Sequence, residues 1–448
     1  MTDPVLAAAR RLLDRFSSPG LILVAISGGS DSKGLLLALR AALDKTSGFT
    51  LAACTVDHGL RQGSDAEARD VADFCAGLGV AHTIRSWTGE KPSAGLQAAA
   101  REARYAMLCE AAVDLDAICI VTAHTADDQA ETIAMRKARS TERTVGLSGM
   151  ADAVLYDRQV WIMRPFLSLR REAIRKYLRE RGEGWFDDPS NANPAFERVR
   201  MRNLLSQEDD RQVPAAPSSG PSGQRRMARA DRMAQLFAGV SVAGGLVARI
   251  EPTLVSHIEQ PDVRDAIPLL AAVIGGVAHV PGHDAVDRVA AFLANGMPGR
   301  ITTSRAVFDR RRDALYLYRE NRGLAVSEIA PGETRIWDGR FLVRNKERSR
   351  IRLTPLAKPE LGAVEARLIA AGVPPAIARR AAPAAMPSIS QISGKGPTNV
   401  ELERHIALYD TFLPRFDLTL ANRLAALFGR NRYLAPPVHD VLTEMKGD

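Results

Sequence analysis

The chain has 448 residues, is 46% hydrophobic and 25% charged, and carries a formal net charge of +8. That length favours two or three domains over a single core. The longest nearly apolar runs, residues 21–26 and 267–280, are far short of a bilayer span, and acidic Asp3 precedes any apolar run; the expectation is a soluble, untargeted cytoplasmic protein with no membrane segment. Cys54, Cys75, Cys109 and Cys119 form no Cys-x-x-Cys pair and sit in apolar segments, which predicts buried free thiols. The positive charge permits a polyanionic partner without identifying one.

From residue 21 to about 135, short apolar runs alternate with segments of helical period, the signature of a parallel sheet covered by helices. Strands are predicted at 21–26, 49–56, 81–85 and 117–122, and helices at 33–42, 64–77, 97–111 and 126–136. The predicted fold class is therefore α/β, with an N-terminal doubly wound parallel sheet. Residues 212–224 (QVPAAPSSGPSGQ) lack an apolar face and predict a linker. The resulting division is a domain over 1–211, the linker, a mainly helical region over 225–330 and a smaller α+β region over 331–448.

Ser27-Gly28-Gly29-Ser30-Asp31-Ser32 follows the first strand and opens a helix, where a doubly wound sheet places its ligand. Two glycines permit a tight nest of N–H donors, the serines add hydroxyls and the helix start is electropositive, a set suited to pyrophosphate. Asp31 would repel phosphate unless a cation lay between them, which predicts a bridging Mg²⁺. The bland alternative is a glycine-rich turn with capping side chains. The spacing fits neither a Walker loop nor a dinucleotide fingerprint.

These residues resemble the SGGxDS loop of the N-type ATP pyrophosphatases, the PP-loop family, which cleaves ATP between its α and β phosphates. Three further segments narrow the resemblance: Val56-Asp57-His58-Gly59-Leu60-Arg61 after the second strand, His124-Thr125-Ala126-Asp127-Asp128-Gln129-Ala130-Glu131-Thr132 after the fourth, and Asp187-Asp188-Pro189-Ser190-Asn191 before Arg198-Val199-Arg200-Met201-Arg202. Together they are similar to the branch of that family that makes lysidine in transfer RNA. The likeness is close over about the first 205 residues; 146–150, 164–166 and 336–341 also fit, whereas Arg139-Ser140-Thr141-Glu142 departs from the glycine-containing stretch usual there.

The resemblance implies an adenine nucleotide alpha hydrolase-like fold and a two-step ligation using ATP and Mg²⁺. The implied partners are L-lysine and an isoleucine tRNA with a CAU anticodon, bound in part by the region after the linker; a homodimer is left open. It assigns Ser27, Gly28, Gly29, Ser30, Asp31 and Ser32 to ATP. Asp57 or His58 would contact the nucleotide or orient its loop. Asp128 and Glu131, on one face of a helix, would recognise or activate lysine, whose ammonium needs an anionic seat and must lose a proton before attack. His124 would stabilise phosphate or the intermediate. Arg61, Arg198, Arg200 and Arg202 would hold tRNA backbone or leaving pyrophosphate; the last three alternate, so an extended chain would align them and a helix would spread them. An acidic first helical turn answering the helix dipole accounts equally well for Asp127 and Asp128.

Overall fold

A computed structural model describes residues 3–43, 48–60, 63–139, 149–186, 199–202, 221–391 and 399–439. It divides into two compact units: residues 1–227 with 414–416 and 434–448, and residues 228–413 with 417–433.

The first unit begins with α1 (Pro4–Leu13), which the pattern reading did not anticipate. Its N-cap Asp3 accepts from the backbone N–H of Val5 (2.8 Å) and Leu6 (3.3 Å), and Pro4 occupies the first turn, where a missing N–H costs nothing. There follow β1 (Leu21–Ala25), α2 (Ser30–Ala42), β2 (Thr50–Asp57), α3 (Ser64–Gly77), β3 (Ala81–Ser86), α4 (Leu96–Asp114), β4 (Cys119–Val121) and α5 (Ala126–Arg139). Each overlaps its predicted counterpart. The chain continues through β5 (Ala153–Tyr156), β6 (Val160–Met163) and α6 (Arg171–Arg179).

Within the unit the strands run β5-β6-β4-β1-β2-β3. Pairing is parallel from β6 to β3 and antiparallel between β5 and β6, so the sheet is mixed. Ile22, Leu23 and Val24 of β1 and Cys119, Ile120 and Val121 of β4 are wholly buried, as continuous apolar runs in a sheet covered on both faces must be. On α2, Gly34 marks a close approach: a Cβ there would lie 2.3 Å from Ile174 Cγ2 on α6. From β1 the chain passes to β2 on one side and later returns to β4 on the other. The topological switch point thus falls between the ends of β1 and β4, the crevice where ligands of such sheets bind.

In the second unit, the helices Pro221–Leu236 (whose first residues belong to the other unit), Pro261–Gly275 and His283–Ala294 supply the helical character expected there. They accompany a five-stranded antiparallel sheet in the order Val240–Ala243, Val247–Ile250, Leu315–Arg319, Ala306–Arg310, Gly299–Thr303. Two three-stranded sheets and the helices Lys358–Ala370, Pro375–Ala381 and Leu418–Leu427 also belong to it, and the unit runs through residue 330 without a break. All four cysteines are free and buried. No helix among the described residues is long and apolar enough to cross a membrane.

Candidate active site

The loop from Ser27 to Ser32 joins β1 to α2 and is locked by its own serines. Ser32 Oγ accepts from Ser27 N–H (3.1 Å) and lies 3.1 Å from the Gly29 carbonyl, to which it donates. Gly28 has φ +79°, and a Cβ there would sit 3.0 Å from Val71 Cγ2 and 3.1 Å from the Phe186 ring, so the position needs glycine on two counts. Gly29 is the N-cap of α2 and no side chain caps it. The first-turn amides of α2 therefore point their N–H groups out of the helix end as an anion seat.

Asp31, in that first turn, is engaged on both oxygens: Oδ1 accepts from Ser30 Oγ (3.1 Å) and Oδ2 from Arg171 Nε (2.8 Å). Burial lifts its carboxyl above the ordinary range despite the opposing pull of Arg171, and the Asp128 charge adds to the rise. The same guanidinium reaches Asp128 Oδ1 through Nη2 (3.4 Å), while the Arg171 backbone N–H donates to Asp127 Oδ2 (2.7 Å). Three carboxylates from two loops thus converge on one residue. Although burial alone would lower the arginine, the carboxylates together raise it further above its usual range.

Asp128 also does local work at the start of α5, where its Oδ2 accepts from Thr125 N–H (2.8 Å) and Thr125 Oγ1 (2.9 Å). The capping role and the site role coexist on different oxygens. Beside it, His124 Nδ1 lies 3.0 Å from Thr122 Oγ1; burial first, and the Arg164 guanidinium second, keep the imidazole neutral far below its usual titration range. Glu131 is buried, and its Oε1 accepts from Arg202 Nε (2.7 Å). Residues 199–202 are helical, which spreads the arginines: Arg200 is exposed while Arg202 turns inward to Glu131.

At the end of β2, Asp57 Oδ1 accepts from Gly59 N–H (2.9 Å) and shapes the turn that carries His58. The His58 ring meets Trp87 edge-on at 6.0 Å, and its Nδ1 is buried without a hydrogen-bond partner among the described residues. Burial, with Arg104 assisting, lowers its imidazole below the usual range. The ends of β1, β2 and β4 therefore bring Ser27–Ser32, Asp57, His58, His124 and Asp128 to one edge of the sheet. Arg61, Arg198, residues 187–191 and residues 140–148 lie outside the described residues.

Two residues of the site carry no role in the sequence reading. Arg171 sits 140 positions from Asp31, and nothing in its neighbourhood of basic helix sequence marks it out. Gln129 lay in view within the His124–Thr132 motif. Its buried amide brackets Met150, accepting from Met150 N–H (2.6 Å) and donating to Met150 O (3.2 Å), and Arg136 donates to Gly149 O (2.8 Å). These bonds hold the backbone at Gly149 and Met150 against α5.

Among the described residues, no trio of His, Cys, Asp or Glu is placed to hold a metal ion. Asp31, with Asp128 across Arg171, offers carboxylates at the mouth of an anion seat. That donor set fits Mg²⁺ carried mainly by nucleotide phosphates and water, and does not fit a metal caged by protein alone.

A switch-point crevice with a glycine-serine anion loop defines an ATP-binding PP-loop domain, and the family model described as a PP-loop domain matches residues 4–209. The chain as a whole belongs to the tRNA(Ile)-lysidine synthase family. It is 47% identical over 461 aligned positions to the tRNA(Ile)-lysidine synthase of Rhizobium meliloti (strain 1021), covering 100% of both chains. It is 40% identical over 460 positions to that of Mesorhizobium japonicum (strain LMG 29417 / CECT 9101 / MAFF 303099), covering 98% of each. Among solved structures, the U34-tRNA thiolase of Methanococcus maripaludis aligns with a TM-score of 0.39 and 15% identity, covering 45% of this chain and 71% of that one.

Proposed function

We propose that this protein joins lysine to the wobble cytidine of a CAU-anticodon isoleucine tRNA at the expense of ATP. The observation that carries the reading is the meeting, at one sheet edge, of the Ser27–Ser32 anion loop with the His124–Asp128 loop. Family membership supplies the substrate class. In the first step the base's carbonyl oxygen attacks the α-phosphorus of ATP, the α–β bond breaks and pyrophosphate leaves. In the second, the neutral amine of lysine attacks the adjacent ring carbon, AMP leaves with the oxygen, and the amine's proton passes to a base.

The α2 amides and Ser27–Ser32 hydroxyls grip the terminal phosphates, so that the bond nearest the nucleoside faces the base. Asp31 would hold Mg²⁺, which would supply neutralisation of phosphate charge. Asp128 and Glu131 give lysine its anionic seat, and one of these carboxylates takes the proton. Neutral His124 donates to or accepts from the developing adenylate without adding charge. Arg200, with the basic second unit, supports tRNA binding through phosphate contacts, while Arg202 is held inward on Glu131. A sulfur-transferring relative is disfavoured because all four cysteines are buried and their thiols are raised, Cys54 and Cys75 to about 11 and Cys109 to about 12.

The test is incubation with ATP, Mg²⁺, labelled lysine and a CAU-anticodon tRNA transcript. Label is expected at the wobble base, with one AMP per lysine. ATP consumed with no lysine transferred would overturn the reading of the second step.

A further inference from the structure

Arg171 is one guanidinium shared between two motifs that serve different substrates. Its Nε holds Asp31 of the phosphate loop at 2.8 Å, and its Nη2 holds Asp128 of the lysine seat at the longer 3.4 Å. The backbone is pinned independently, by the bond from Arg171 N–H to Asp127 at 2.7 Å and by its place at the first turn of α6. The side chain can therefore change partners without the helix moving. It is 20% exposed, and Asp31 and Asp128 are 21% and 15% exposed, so all three face the crevice instead of the core.

Without ligands, this arrangement is self-satisfied: a cation already occupies the space between carboxylates that the proposed function gives to other cations. A triphosphate seated on the α2 amides would bring dense negative charge next to Arg171. A planar guanidinium fork matches phosphate geometry at least as well as two divergent carboxylates. Release of the weaker, 3.4 Å contact would then open Asp128 Oδ1 towards an incoming ammonium.

We propose that Arg171 is a positioning residue that couples the two substrates: it occupies the lysine carboxylate Asp128 until nucleotide draws it away, so that ATP binding tightens lysine binding. This inference rests on the reading above, in which Asp31 serves the nucleotide and Asp128 serves lysine. Linkage is reciprocal, so lysine must tighten nucleotide binding by the same factor.

The experiment is calorimetric titration of lysine into the full chain in a Mg²⁺-containing buffer, with and without saturating α,β-methylene ATP, for the wild type, Arg171→Gln and Arg171→Lys. The wild type should bind lysine at least fivefold more tightly with the nucleotide analogue present. Arg171→Gln should bind lysine more tightly than wild type in its absence, and the analogue should then change the affinity less than twofold. Arg171→Lys, which keeps the charge but cannot span both carboxylates, should show less than half the wild-type enhancement and serves if the glutamine variant fails to fold. A merely structural role would weaken lysine binding in both states and could not improve it in the free protein. Wild-type enhancement retained in either folded variant, or absent from the wild type, overturns the inference while leaving the site reading intact. No lysine bound by the wild type in either state refutes the site reading as well.

Discussion

The carboxylate of Asp31 is held where it is at some cost to the fold. Burial raises its carboxyl above the ordinary 3.8, so the folded state favours the protonated form and ionised Asp31 detracts from stability at neutral pH. Asp31→Asn is accordingly expected to melt no lower than wild type, while ATP–pyrophosphate exchange with tRNA falls by roughly a hundredfold or more. Exchange within tenfold of wild type would remove Asp31 from the nucleotide site. His124 has the opposite sense of shift and the opposite consequence for acid. Its folded imidazole titrates well below 6.5, so the unfolded chain takes up the proton first and stability declines as pH falls below 6.5. One such group accounts for at most about 1.4 kcal/mol at one pH unit below that value. Urea denaturation at pH 7.5 and 5.5 should show a smaller pH-dependent loss for His124→Gln than for wild type; an unchanged difference would mean that the imidazole is protonated in the folded protein.

At the scale of elements, the turn between β1 and α2 is decided by backbone shape. Alanine at Gly28 would have to hold φ +79° and would press on Val71 and Phe186. The expected cost is about 1–3 kcal/mol, with a loss of nucleotide affinity larger than the loss of stability, because the anion-binding amides would turn with the strained residue. Nucleotide affinity unchanged in a folded Gly28→Ala would argue that the loop does not seat phosphate. In the second unit the turn at Asp338-Gly339, with φ +55° and +71°, joins the strands Thr334–Trp337 and Phe341–Asn345, a pairing type that the Asp-Gly dipeptide favours. Its Asp338 carboxylate is fully buried and accepts from Arg319 (3.0 Å), Arg340 (2.7 Å) and Arg305. Burial, with the neighbouring guanidinium groups second, pushes Arg319 and Arg340 down to about 9. Asp338→Asn would leave guanidinium groups buried without their counter-charge and should cost about 3–5 kcal/mol, read as an earlier denaturant midpoint for the second unit. A midpoint unmoved by the change would place water or another anion at the cluster.

Over the whole molecule, the chain's late residues belong to the unit that its first residues begin. Trp161 Nε1 donates to Leu434 O (3.1 Å), Ser17 N–H to Pro437 O (3.0 Å) and His439 N–H to Arg15 O (2.8 Å), and Val438 is buried. Within that unit Arg415 also pairs with Asp152 at 3.0 Å. The nucleotide-binding unit is therefore closed by residues more than two hundred and fifty positions from its strands, as the Trp161 bond illustrates. A chain ending at Tyr433 should lose about 2–4 kcal/mol from the first unit, the sum expected for a buried valine and several backbone hydrogen bonds. The loss should appear as a lower unfolding midpoint protected by ATP; an unaltered midpoint would show that the returning segment is dispensable.

Much of the first unit was determined by the sequence alone, because its signals are local. An apolar run buried on both faces, a helix period after it and a glycine-serine turn between them each need only neighbouring residues, and so β1 to β4, their helices and the Ser27–Ser32 loop could be placed. The hairpin over residues 240–250 was equally local, since Gly244 and Gly245 both take positive φ in its three-residue turn, yet its strands are too short for periodicity to register. The side of the sheet on which each strand lies, the antiparallel β5 edge and the return of residues 434–439 were decided only by tertiary packing. So was Arg171: a guanidinium acquires meaning from the carboxylates around it, and those come from loops that are adjacent in space because the strand order reverses between β1 and β4. Spacing along a chain records which residues share a helix or strand face; it does not record which loops the sheet brings to a common edge.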